Sequence, residues 1–115
     1  MFIVLLDEPG LFVFESPDAA VREIEPPDAE NDVRVAFDDD AVPYRVEWIR
    51  PNQHQALFAS VSSVQSGEYR FVPAGPPDIP ALIAMLEEHA DDTNPPDANV
   101  ALRELLKKMR AVGVL

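Results

Sequence analysis

Residues 33–49 read Val-Arg-Val-Ala-Phe-Asp-Asp-Asp-Ala-Val-Pro-Tyr-Arg-Val-Glu-Trp-Ile. Val33, Val35 and Phe37 alternate with Arg34 and Ala36. Val42, Tyr44, Val46 and Trp48 alternate with Pro43, Arg45, Glu47 and Ile49. A period of two places alternate side chains on one face of an extended chain, so each run predicts a half-buried strand. Asp38-Asp39-Asp40 between them predicts a turn. The pair is most simply antiparallel.

Working outward, Phe2 to Leu6 is a continuous apolar run and predicts a buried strand. Leu11 to Phe14 predicts a second strand, joined to the first as a hairpin through Glu8-Pro9-Gly10. Ser16-Pro17-Asp18 opens a short helix. Ser16 can cap free amides, Pro17 suits the first helical position, and Asp18 suits the positive helix end. Ala20, Val21 and Ile24 share a face, and Pro26-Pro27 predicts the stop near Glu25. Beyond Trp48, Pro51-Asn52 predicts a turn and a polar loop through Gln55. Leu57 to Val64 predicts a strand, Ser66-Gly67 a turn, and Glu68 to Val72 a short strand. After the proline-rich connection Pro73 to Pro80 the period becomes helical. Ile79, Leu82, Ile83 and Leu86 follow a cap at Asp78. Past the breaker Asp91 to Pro96, Leu102, Leu105, Leu106 and Met109 form a stripe, with Gly113 as a stop. The expected fold is α+β. It has a mostly antiparallel sheet of about five to six strands, one short helix after the second strand, and two C-terminal helices, with the helices on one face. A single domain is expected over 1–115, the sheet and short helix in 1–73 and the two helices in 78–112.

The 115 residues include 21 acids and nine bases, for a formal net charge of -12, yet 47% are apolar. A disordered acidic tail is poor in apolar residues, so this charge belongs on the outside of a packed domain. Residues 103–115 hold four of the nine bases (Arg103, Lys107, Lys108, Arg110) and one acid. Bases late in a helix suit the negative end of its dipole. Phosphate would repel the chain as a whole, so nucleic acid is not an expected partner. No apolar run approaches the roughly 20 residues of a membrane-spanning helix. The opening Met1 to Glu8 has no basic segment of the secretory type. There is no cysteine, hence no disulfide and no thiolate chemistry. A cytoplasmic protein without a membrane partner is expected.

Catalytic motifs are not found. His54 and His89 lack a second histidine at metal-ligand spacing. Ser60, Ser62, Ser63 and Ser66 sit in no nucleophile-elbow pattern, and Gly10, Gly67, Gly75 and Gly113 are too dispersed to cradle a phosphate. The consecutive acids Asp38-Asp39-Asp40 do not alternate as calcium ligands do. The expectation is a protein that is not an enzyme and needs no metal or cofactor. The informative constellation is acidic: Glu23, Glu25, Asp28, Glu30, Asp32, Asp38, Asp39 and Asp40, against Arg34 alone. Such a field speeds encounter with a basic partner. A nuclease is one example, since its groove is lined with cations. The plain alternative is a solvated loop that keeps the chain dispersed, and both fit the composition.

Residues 11–48 resemble the small acidic immunity proteins of bacterial polymorphic toxin systems. In that pattern a strand ending in Phe-x-Ser leads into a short helix. The helix closes with Ile-Glu-Pro-x-Asp-x-Glu, and a Phe-Asp turn follows. The matching positions are Phe14, Ser16, Ala20, Ile24, Glu25, Pro26, Asp28, Glu30, Phe37 and Asp38. The family often has glycine in the turn after Phe-Asp, where this chain has Asp40-Ala41. The closing helices carry no resemblance. The family implies an inhibitor that binds one cognate toxin in the cytoplasm.

The expected function is therefore a toxin inhibitor acting by stoichiometric binding to a basic toxin domain. Glu25, Asp28, Glu30, Asp32, Asp38, Asp39 and Asp40 would steer the partner. Exposed aromatics among Tyr44, Trp48 and Tyr69 would anchor it, since interfaces favour such residues. The alternative is a structural or regulatory interaction domain, a secretion adaptor or an oligomerising subunit, whose surface would be the stripe Leu102 to Met109. If that stripe packs on its own sheet, a monomer is expected.

Overall fold

The computed structural model describes residues 1–7, 10–58, 61–89 and 92–113, with backbone only for 54–58 and 61–65. The hairpin loop expected around Glu8-Pro9 lies mainly outside the described residues. The elements run β1 (Phe2–Leu6), β2 (Gly10–Phe14), α1 (Pro17–Glu23), α2 (Pro26–Asn31), β3 (Val33–Asp38), β4 (Pro43–Arg50), β5 (Gln53–Phe58), β6 (Val61–Gln65), β7 (Glu68–Pro73), α3 (Ile79–His89), β8 (Thr93–Asn94) and α4 (Ala98–Gly113).

Six strands form one sheet in the order β7-β4-β3-β1-β2-β8. Its pairs are antiparallel except β2 with β8, which is parallel. The fold is α+β with two C-terminal helices, as the patterning predicts. The central strand β1 is the continuous apolar run, and it is apolar because helices cover both of its faces. Ile3, Leu11 and Phe37 pack with Leu82, Leu86, Leu102 and Leu106 of α3 and α4. On the other face Phe2, Val4 and Ala36 pack with Ala20 and Ile24 beside α1, Ala29 of α2, and Tyr69 and Phe71 of β7. The expectation that helices cover one face is thus corrected. Phe2, Ile3 and Val4 are all fully buried, each contributing about 1.5–3 kcal/mol by leaving water.

Local differences have local causes. Ser16 caps α1, its hydroxyl accepting from the Ala19 amide at 3.1 Å. Pro26-Pro27 ends that helix but also begins another, because proline suits a first helical turn as well as it blocks an interior. Two short helices therefore replace the one expected. In β3 the register passes from Leu5–Val35 to Leu6–Val33, which leaves Arg34 as an extra residue. Val33 then joins the α1/α2 side while Val35 joins the α3/α4 side, although strict alternation would pair them. Arg34 is free to reach out and pair with Asp7.

The run Leu57 to Val64 is not one strand. It belongs to an antiparallel hairpin, β5 with β6, separate from the main sheet. His54 lies in β5, not in a loop. The hairpin continues the β4–β7 pair. Register runs to Arg50–Glu68, steps over two residues on each strand, and resumes at Gln53–Gln65. Pro51 lacks an amide hydrogen, and Gly67 sits where a Cβ would collide with the Arg50 and Pro51 backbone, so ladder pairing lapses at this joint. The chain as a whole measures 58 × 27 × 20 Å. At the C-terminus, Asp78 caps α3, its carboxylate accepting from the Ala81 amide at 3.1 Å. The stripe Leu102, Leu105, Leu106 and Met109 is buried within the chain's own core.

Candidate functional site: an acid-rimmed groove

α1 and α2 cover β1 and reach β7, but they leave the β2 side of their face partly open. A groove of 720 Å³ results. Its floor is apolar: Leu6, Phe12, Phe14 and Ile24. Phe12 and Phe14 stand two residues apart on β2, so they point the same way, and their rings stack with centroids 6.5 Å apart. The rim is acidic. Glu15 follows β2, Glu23 ends α1, and Asp28 and Asp32 come from α2 and its C-terminal cap, with Arg22 as the one base among the lining residues. Asn94 and Pro95 close the end next to β8, which pairs only with Leu11 and Phe12. The outer edge of β2 from Val13 onward is therefore not covered by β8.

The groove gathers only part of the expected acidic segment. Asp28 and Asp32 line it. Glu25 is exposed at the N-cap of α2 and is not among the lining residues. Glu30 accepts a hydrogen bond from the Asn52 side chain at 2.8 Å and so braces the β4–β5 joint. Asp38, Asp39 and Asp40 lie at the opposite end of β3, whose six residues span about 17–20 Å. That exceeds the screening length of about 8 Å at physiological salt, so the acids form two separate fields. Asp38 is a turn-former. Its carboxylate accepts from the amides of Asp40 and Val42 at 2.9 and 3.0 Å, and from the Tyr44 hydroxyl at 3.4 Å. Asp39 pairs with the Met1 ammonium at 3.7 Å. Asp40 is exposed.

The aromatics are mostly part of the core. Tyr69 is 4% exposed, which corrects its place among exposed anchors. Its hydroxyl donates to the Ile24 carbonyl at 2.5 Å. Burial, helped by the negative charge of Asp28, pushes the phenol up to about 12. Tyr44 is half-buried against Phe2, ring centroids 5.0 Å apart, and burial ahead of the Asp38 charge raises its phenol as well. Trp48 is half-buried and packs on Tyr69 at 5.5 Å. Beyond β3, Arg70 donates to Glu47 at 2.9 Å, and that bond holds the Glu47 carboxyl below its usual range, with Arg45 adding a smaller effect.

Phe12, Phe14 and Glu15 are the groove residues that sequence reading places only in a hairpin core or its flank. The available signal was two phenylalanines on the same side of a strand followed directly by an acid. His89, in the last turn of α3, stands 3.8 Å from the Glu88 carboxylate, and the His54 side chain lies outside the described residues. Among the described residues no three histidines or acids converge in a way that could hold a metal ion, and no helix is long and apolar enough to cross a membrane. Comparison with protein-family models, with curated proteins and with solved structures finds no match to this chain.

An aromatic floor under a ring of carboxylates suits one chemistry well. A lysine or arginine can lay its stem on the phenylalanine faces and direct its charge to the rim. Arginine can add a bidentate pair with a carboxylate.

Proposed function

We propose that this protein is a cytoplasmic immunity protein that neutralises a basic toxin domain by stoichiometric binding, without catalysis and without a cofactor. The observation that carries this reading is the groove between β2 and the α1/α2 pair, where Glu15, Glu23, Asp28 and Asp32 ring Phe12 and Phe14. The resemblance of residues 11–48 to immunity proteins supports it from the sequence side, since most of the groove's lining comes from that segment. The rim speeds encounter and the floor supplies the desolvated contact that slows release. The alternative of an interaction domain working through Leu102 to Met109 loses its surface, because that stripe is buried.

The test uses the cognate toxin domain, identified by pull-down with this protein as bait. Association is followed by stopped flow at low and high salt. Glu23→Lys, Asp28→Lys and Asp32→Lys together should lower the association rate about tenfold or more at low salt and flatten its salt dependence. Phe14→Ala should act mainly on dissociation. Glu30 is left intact because it braces Asn52. An association rate and salt slope indifferent to the triple reversal would sink the proposal.

A further inference from the structure

The acid-rimmed groove ends at a strand edge, and a second hollow lies on the other face of that edge. It measures 430 Å³ and is lined by Met1, Val13, Pro95 and Ala98, with Phe14 and Glu15. Val13, Phe14, Glu15 and Pro95 also line the groove. The last residues of β2 therefore divide two hollows of different chemistry. Glu23, Asp28 and Asp32 belong to the α1/α2 side alone, whereas the side next to α4 is apolar apart from Glu15. The edge between them is open. Leu11 turns its amide outward to the Asp92 carbonyl. Backbone direction alternates along a strand, so Val13 and Glu15 turn the same way. With Leu11 opposite Thr93, the Val13 carbonyl would accept next from residue 96, which is proline and has no amide hydrogen. β8 ends at Asn94, and among the described residues no other strand lies beyond it. The chain nevertheless stays extended through Ser16, at φ -156° and ψ 165°.

We infer that an extended segment of the basic partner adds to this edge as a strand, with lysine or arginine alternating with small apolar residues. The inference rests on the groove being the partner's site. Alternate side chains of an added strand fall on opposite faces. One set enters the groove, stems on Phe12 and Phe14 and charges among the carboxylates. The other set fills the hollow against Val13 and Ala98. Main-chain hydrogen bonds supply affinity and the two hollows supply specificity. Charge complementarity selects the occupant. The groove is lined by four acids, Glu15, Glu23, Asp28 and Asp32, against Arg22, so a second copy of this chain, at net charge -12, is repelled. A helix could bring a basic face to the rim, but its own backbone groups are paired internally and leave Val13 and Glu15 without partners.

The test uses the intact chain and a capped peptide alternating arginine with valine, about seven residues long, enough to span the edge at about 3.3 Å per residue. The peptide should bind, and the Glu15 amide should then exchange about tenfold more slowly or better by NMR. An isomer with its arginines and valines in separate blocks carries the same charge and should bind about tenfold more weakly or worse. N-methylation of alternate peptide amides should abolish binding in one phase and leave it within about twofold in the other, because only one set of amides faces β2. Absence of binding, equal binding by the block isomer, equal loss in both phases, or an unprotected Glu15 amide in the bound state overturns the inference. The same exchange measurement on the toxin complex separates this inference from the proposed function. A toxin that needs the acidic rim yet leaves the Glu15 amide unprotected keeps the function and overturns the added strand. A peptide that protects Glu15 where no toxin domain binds the chain keeps the strand and removes the function.

Discussion

Ala41 holds the least favourable backbone in the described chain. Its φ of 65° is one that residues with a side chain rarely adopt, yet it is fully buried. The position is over-determined. The Ala41 amide donates to the Asp38 carbonyl at 3.2 Å, and its carbonyl accepts from the Asp78 amide at 2.8 Å, tying the turn to the start of α3. Glycine would relieve about 1–2 kcal/mol of strain, but it would lose a buried methyl and loosen the unfolded chain by amounts of similar size. Ala41→Gly should therefore shift urea-unfolding stability by less than about 1 kcal/mol. Ala41→Val adds branching and volume at the same φ and should cost more than about 2 kcal/mol. Tyr69 provides a second test. Its phenol titrates near 12 in the folded chain against about 10 when unfolded. The stabilisation is fully present below pH ~10 and is lost as pH rises towards 12, so stability should fall across that window. Tyr69→Phe should flatten this fall and cost about 1–2 kcal/mol at neutral pH, since the Ile24 carbonyl loses its donor. Denaturant midpoints measured across alkaline pH check both. Sequence pattern showed that Tyr69 and Trp48 lie on strands. It could not show which strand faces meet a helix, because that depends on where α1 crosses the sheet.

At the scale of elements, the joint of the long ribbon depends on Asn52. Its side-chain amide donates to the Pro26 carbonyl at 3.0 Å and to Glu30 at 2.8 Å, while its oxygen accepts from the Gly67 amide at 2.8 Å. One side chain thus fastens α2 to both strands where ladder pairing lapses. Asn52→Ala should cost about 1–3 kcal/mol. Asn52→Asp should cost more at pH 7, because a second carboxylate then faces Glu30. The excess should vanish below about pH 4 as the carboxyls protonate, and paired unfolding curves at the two pH values would reveal it. Elements with a strong period or a clear cap were legible from the sequence: β1 to β4, α1, β7, α3 and α4. The others depended on dual signals or distant partners. Pro26-Pro27 reads equally as a stop and a start. β8 is two residues that become a strand only because β2 lies alongside. The sequence between β5 and β6, Ala59-Ser60, carries none of the Gly, Pro or Asn that announce a turn. The groove was half legible for the same reason. Asp28 and Asp32 stand out by charge, but Phe12 and Phe14 acquire their role only when α1 stops short of covering them.

Across the whole molecule, a net charge of -12 opposes compaction. Sodium chloride should therefore raise the denaturation temperature from its low-salt value, and a chain whose melting is indifferent to salt would show that the acids are already too well dispersed to matter. The sheet order has a different consequence, for synthesis on the ribosome. β1 sits at the centre of the sheet, and Ile3 shares its cluster with Leu102, Leu105 and Met109 of α4. Gly10 is tied in as well. A Cβ there would come within 2.6 Å of the Asp92 carbonyl, and the neighbouring Leu11 amide donates to that carbonyl at 2.9 Å. The strand that leaves the ribosome early must thus wait, apolar on both sides, for a helix that leaves it late. Until α3 and then α4 emerge, the nascent chain can close only the α1/α2 side of β1. The species most open to chaperone capture is this half-covered sheet.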